Sequence, residues 1–210
     1  MVIRNATFLM RRVMATRRRG ADLEAAIHTA VQSELMTHGY AGLTFEGVAA
    51  AAETSKAVLY RRWPTKASMV FASVAGADSS PLHTPDTGSL VGDLTQLLRD
   101  GNALFTHHGR GMILGILSDA DEATAESMRE VIFRRAAELV GPIAEHARER
   151  GELGPNPIPT RALALPMDLL RNETLLRRPL DDDGIAEIVD TCVVPLFRVW
   201  SSAPDSVGPP

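Results

Sequence analysis

Residues 55–62, Ser55-Lys56-Ala57-Val58-Leu59-Tyr60-Arg61-Arg62, place three cations and a phenol on a short helical pattern that follows another short one after a brief turn. The second of two such helices fits the ~12 Å major groove of duplex DNA while the first crosses the phosphate backbone. Helical spacing turns Leu59 and Trp63 inward and Lys56, Ala57, Val58, Tyr60 and Arg61 outward. The chemistry implied is recognition of a polyanion.

Competing chemistries lack the spacing they need. His107 and His108 are adjacent, so on one helix they diverge by ~100° and cannot form an i, i+4 metal pair. Asp119, Asp121 and Glu122 read as a loop and an acidic helix start, and Cys192 as a small residue on an apolar face. The chain has no Gly-rich phosphate loop, G-x-S-x-G elbow or H-E-x-x-H pair. No enzyme, catalytic residue, metal ligand or cofactor is expected.

Charge supports the same view. Residues 1–75 hold ten Lys and Arg against five Asp and Glu, whereas the remainder of the 210-residue chain holds twelve against twenty-one. A basic end that meets a polyanion and an acidic remainder with another task follow from that asymmetry. The lone Cys192 fits a reducing compartment, and no apolar run is long enough for a bilayer. We therefore expect a cytoplasmic protein with no membrane partner. The first twenty residues carry six arginines and no acid, and their apolar stretch is too short for a secretory signal. Translation is expected to start at Met14, leaving MATRRRG as a basic arm, with Met1 the alternative.

The elements that position these residues are helices; no alternating strand pattern is found. Leu23, Ile27, Val31 and Leu35, with Ala26 and Ala30, predict a first helix from about Asp22 to Gly39. Thr44 is placed to cap a second helix carrying Val48 and Ala52, and Ser55 a third, which Pro64 ends. Thr65 caps a fourth from Lys66 towards Ala75. Residues 76–88 read as a loop, and longer helices are predicted at 89–107, 111–119, 122–150, 160–178 and 182–201. Gly141-Pro142 and Pro166 should kink or divide their helices.

The stretch GYAGLTFEGVAAAAETSKAVLYRRWPTKASMV closely resembles the DNA-binding domain of TetR-family transcriptional regulators. The matching features are Gly39-Tyr40, Leu43-Thr44, Val48-Ala49, Ala52, Ser55-Lys56, Leu59-Tyr60, Trp63, Pro64 and Lys66, within a resemblance covering residues 18–74. One departure is Glu53, where the turn usually carries glycine. The resemblance implies an all-α protein in four parts: a flexible basic arm (1–17), a helix-turn-helix domain (18–75), a helical ligand-binding and dimerisation domain (76–201) and a disordered tail (202–210).

The resemblance also implies roles. Thr44, Lys56, Tyr60 and Lys66 would meet the DNA backbone, and Arg17, Arg18 and Arg19 would follow phosphates or enter the minor groove. Ser55, Ala57, Val58 and Arg61 are candidates near base edges, Ala57 and Val58 against thymine methyls and Arg61 on guanine. The last two helices would pair with a second copy through Leu169, Leu176, Ile185, Val189, Val193, Leu196, Phe197 and Trp200. Phe105, His108, Met112, Leu117, Met128, Phe133, Met167 and Asn172 are candidate walls of a pocket for a small hydrophobic effector. The function implied is a homodimeric repressor released from a palindromic double-stranded DNA operator by a small molecule. The competing expectation is a helical dimeric ligand-binding or adaptor protein without specific DNA binding.

Overall fold

The computed structural model describes residues 20–75, 82–108, 110–176 and 180–202, with backbone alone at 107 and 108. The described residues are helical and contain no strand. The arm, its Arg17, Arg18 and Arg19, the alternative start at Met14 and the tail beyond 202 lie outside them.

Helix α1 (Ala21–Gly42) buries Ile27, Ala30 and Val31 along the predicted stripe. Gly39, at φ 64° and ψ 178°, interrupts it with a backbone open to glycine and not to side-chain-bearing residues. That break swings Tyr40 into a buried position. Helix α2 (Phe45–Ala51) starts at Thr44, whose hydroxyl oxygen accepts the Gly47 N–H at 3.1 Å.

Its end is a Schellman turn. Thr54 N–H donates to the Ala49 carbonyl and Glu53 N–H to the Ala50 carbonyl, with Glu53 at φ 52°. Helix α3 (Lys56–Arg62) follows, and Trp63 N–H closes it on the Leu59 carbonyl. In helix α4 (Lys66–Ala75), Thr65 and Ser68 cap one another: Ser68 N–H donates to Thr65 Oγ1 and Thr65 N–H to Ser68 Oγ.

Beyond the loop stand α5 (Leu90–His108), α6 (Arg110–Asp119), α7 (Glu122–Glu149) and α8 (Thr160–Leu176). Next come α9 (Asp182–Glu187), a π-helical stretch (Ile188–Val193) and α10 (Val194–Ser202), which run on without a break. Neither Pro142 nor Pro166 divides its helix. The irregularity falls instead at Ile188–Val193, where Val194 N–H reaches back five residues to the Val189 carbonyl. Pro195 follows directly. It has no N–H and crowds the carbonyl four residues back, so the α-helical bond that would hold the turn tight is missing.

Two apolar cores result. Leu90, Leu94, Leu97 and Leu98 of α5 pack with Val140, Ile143 and Ala147 of α7, Met167 and Leu170 of α8, and Ile185, Val189, Val193 and Phe197 of the last helical run. The other core is that of α1–α4, and it recruits Ile116 from α6 and Met128 from α7. A partly buried ionic network pins the start of α5 to the end of α7. Fully buried Asp93 accepts from Thr87 Oγ1 (2.8 Å) and from Arg150 (3.0 Å), and Glu152 accepts the Leu90 N–H. Burial alone raises the Glu152 carboxyl, but the Arg150 guanidinium and the Leu90 N–H outweigh it and hold it below its ordinary range.

Candidate nucleic-acid interface and ligand pocket

Helix α3 presents Ser55, Lys56, Ala57, Tyr60 and Arg61 to solvent and turns Leu59 and Trp63 inward. Val58 corrects the expectation: only 8% exposed, it is turned away from a groove floor. Its place next to Leu59 widens the buried arc of a seven-residue helix that the spacing had drawn too narrow. The Ser55 hydroxyl makes no capping bond, and Thr44 stays exposed at the start of α2.

Tyr60 is 51% exposed while its ring stacks on Phe45, with centroids 4.2 Å apart. Aromatic stacking therefore sets the position of a phenol that still meets solvent. Lys56 Nζ sits 2.5 Å from Glu46 Oε1, both side chains more than half exposed. The hydrogen bond between them lowers the Glu46 carboxyl and raises the Lys56 ammonium. The exposed Lys56 ammonium is thus held by a neighbouring acid that any incoming anion would have to displace. Arg62 instead pairs with Glu24 at 2.9 Å, across to α1.

Lys66, expected on a phosphate, faces the junction with α6. Its ammonium donates to the Tyr40 carbonyl at 3.1 Å, lies 4.3 Å from the Tyr40 ring centroid and stands 3.9 Å from Asp119. The Tyr40 hydroxyl donates to Asp119 Oδ2 at 3.0 Å. A Cβ at position 115 would lie 2.3 Å from the Tyr40 ring, so Gly115 is what lets α6 close on it. Burial first, then the bond to Asp119 and its charge, push the phenol above its ordinary range, and it remains a donor. This latch between α1, α4 and α6 was not expected from the sequence.

A pocket of about 340 Å³ opens between α6, α7 and α8, lined by Leu117, Ala125, Met128, Arg129, Ile132, Phe133, Arg161, Asp168 and Arg171. Of the expected wall residues, Leu117, Met128 and Phe133 line it. Phe105 and Met167 belong with the core of α5, α7 and α8, Met112 packs on that of α1–α4, and Asn172 is exposed away from the pocket. The side chain of His108 lies outside the described residues. The arginines were missed; Arg171 with Asp168 and Arg129 with Glu126 had a local signal in their i, i+3 spacing, and Arg161 had none.

The expected pairing surface is corrected as well. Ile185, Val189, Val193 and Phe197 are buried in the protomer's own core, and Leu169 and Leu196 are half-buried against it. Leu176 (67% exposed) and Trp200 (43%) remain at the surface, beside exposed Val199. The last helical run is apolar on more than one side, and periodicity alone does not say which side the protomer uses. Among the described residues, no group of three or more His, Cys, Asp or Glu is arranged to hold a metal, and no helix is long and apolar enough to cross a membrane.

A short cationic helix held at a Schellman turn against a capped partner defines a helix-turn-helix DNA-binding regulator. Comparison with known proteins agrees. Residues 27–72 match the bacterial regulatory proteins of the tetR family, and residues 84–192 match the tetracyclin repressor-like C-terminal domain. An uncharacterised HTH-type transcriptional regulator of Mycobacterium bovis is 32% identical over 77% of this chain and 81% of its own. The DNA-binding transcriptional repressor TetR of Mycobacteroides abscessus is 28% identical over 86% and 96%. A crystal structure of a TetR family transcription regulator superposes with a TM-score of 0.68 at 26% identity, covering 82% of this chain and 97% of that one. The chain belongs to the TetR family of transcriptional regulators.

Proposed function

We propose that this regulator is a cytoplasmic homodimeric repressor that holds a palindromic operator when unliganded and releases it when a small molecule enters the pocket between α6, α7 and α8. The observation that carries this reading is the double attachment of α6. Leu117 forms part of the pocket wall, and Asp119, two residues on, holds Tyr40 beside Lys66. A ligand that displaces Leu117 moves the residue that anchors the reading helices. For a tenfold loss of operator affinity, the ligand must favour the non-reading state by about 1.4 kcal/mol.

In the operator complex, Lys56, Tyr60 and Thr44 meet phosphates, and Ser55, Ala57 and Arg61 face base edges. Lys66 reaches a phosphate only by loosening its hold on the latch. Two copies joined by a two-fold axis pair through the outer side of α8 and of the last helical run, where Leu176, Val199 and Trp200 are exposed.

Selection of bound duplexes from a random library tests the reading. A palindrome of about 15–25 base pairs is expected, since half-site spacing follows the dimer. Lys56→Ala with Tyr60→Ala should abolish its recovery while sedimentation still reports a dimer. Recovery of no motif, with binding lost at moderate salt, overturns it.

A further inference from the structure

We infer that the pocket between α6, α7 and α8 takes an amphipathic carboxylate, an apolar body with one anionic head, and that Arg161 binds that head. The inference rests on the reading of this pocket as the effector site and departs from the neutral hydrophobic ligand that its apolar residues alone suggest.

Three of the twelve Lys and Arg residues in positions 76–210 line this pocket, in a part of the chain where acids outnumber bases. They are not equivalent. Arg171 is bound to Asp168, and Arg129 to Glu122 and Glu126. Arg161 makes no ion pair among the described residues. Its guanidinium lies 4.4 Å from the Phe133 ring centroid, and Phe133 also lines the pocket.

A guanidinium over an aromatic face keeps its N–H edge free, and that edge matches both oxygens of a carboxylate. Arg is also weakly hydrated compared with Lys, which favours exchanging its water for an anion. The remaining walls, Leu117, Ala125, Met128, Ile132 and Phe133, are apolar and suit a hydrocarbon or aromatic body. Arg129 and Arg171, already neutralised by their own acids, do not compete for the head.

Calorimetric titration of the full chain with decanoate and 2-naphthoate, against decanol and 2-naphthol as neutral counterparts, tests the inference. The carboxylates should bind at least about tenfold more tightly than their neutral partners, and less tightly as salt rises. Arg161→Gln should remove about that factor for the carboxylates and leave the alcohols unchanged, whereas Arg161→Lys, which retains the charge, should keep part of it. Arg161 is exposed, and unchanged helical circular dichroism in each variant checks the fold. Equal affinity for anion and neutral partner, absence of carboxylate binding, or full carboxylate affinity in Arg161→Gln overturns the inference.

Operator release, followed by fluorescence anisotropy, separates this outcome from that of the function. Carboxylates that bind through Arg161 without releasing the operator leave the inference standing and sink the effector reading. Release by the neutral compounds alone does the reverse.

Discussion

Replacing Glu53 by glycine should stabilise the protein. Glu53 occupies the left-handed position of the turn between α2 and α3, at φ 52°, and its exposed side chain makes no ion pair or hydrogen bond among the described residues. Its backbone N–H bond to Ala50, at 3.2 Å, survives the substitution. Holding a side-chain-bearing residue there costs about 1–2 kcal/mol. The extra freedom of glycine in the unfolded chain returns about 0.4–1 kcal/mol of that gain. A net increase of about 0.5–1 kcal/mol remains, equivalent to a few degrees in melting temperature for a chain of this size. Urea denaturation followed by circular dichroism should show a higher midpoint with an unchanged slope. Glu53→Ala, which keeps the Cβ, should show no such gain. If glycine lowers the midpoint, or if alanine raises it equally, the strain assigned to this turn is refuted.

Glu46→Gln frees Lys56 and should tighten binding to any duplex while making it steeper in salt; anisotropy at several salt concentrations that shows no change refutes the pairing. In the wild type, Glu46 is held below the ordinary carboxylate range, so what the pair contributes is present above that range and is lost as pH falls through the lowered value. A carboxyl NMR titration that places Glu46 at or above the ordinary glutamate value would contradict this. Tyr40→Phe and Asp119→Ala should be non-additive in stability by about 0.5–1.5 kcal/mol, because each removes the same hydrogen bond; additivity within error would dissolve the latch. Asp93→Asn removes the charge of a fully buried carboxylate paired with the partly exposed Arg150 and should cost about 3 kcal/mol in chemical denaturation, with a loss below about 1 kcal/mol counting against the network.

The helices were legible in the sequence because their boundaries are local chemistry. Thr44 and Thr65 cap by bonds three residues long, and Gly39 breaks α1 by its own backbone freedom. The strained Glu53 was legible through the family resemblance, which sets it where the turn usually carries glycine, and its φ of 52° bears that out. Contacts between distant segments were not. Tyr40 and Asp119 are 79 residues apart, and Phe133 meets Arg161 from a different helix, so no spacing rule links either pair. Val58 and the last helical run failed for a third reason. Periodicity ranks faces by apolarity but cannot say how wide an arc the protomer covers, or which of two apolar faces it uses first.

Ile116 and Met128 belong to the core of the DNA-reading helices, though they lie more than forty residues beyond the end of α4. As the chain leaves the ribosome, α1–α4 are complete long before these two residues appear, and until then their apolar core stands open on one side. The packing of α1–α4 is therefore complete only once α6 and the first turns of α7 have emerged. A chain ending in the loop after α4 would leave that side of the core open to water, so the acidic part of the protein finishes the fold of the basic part.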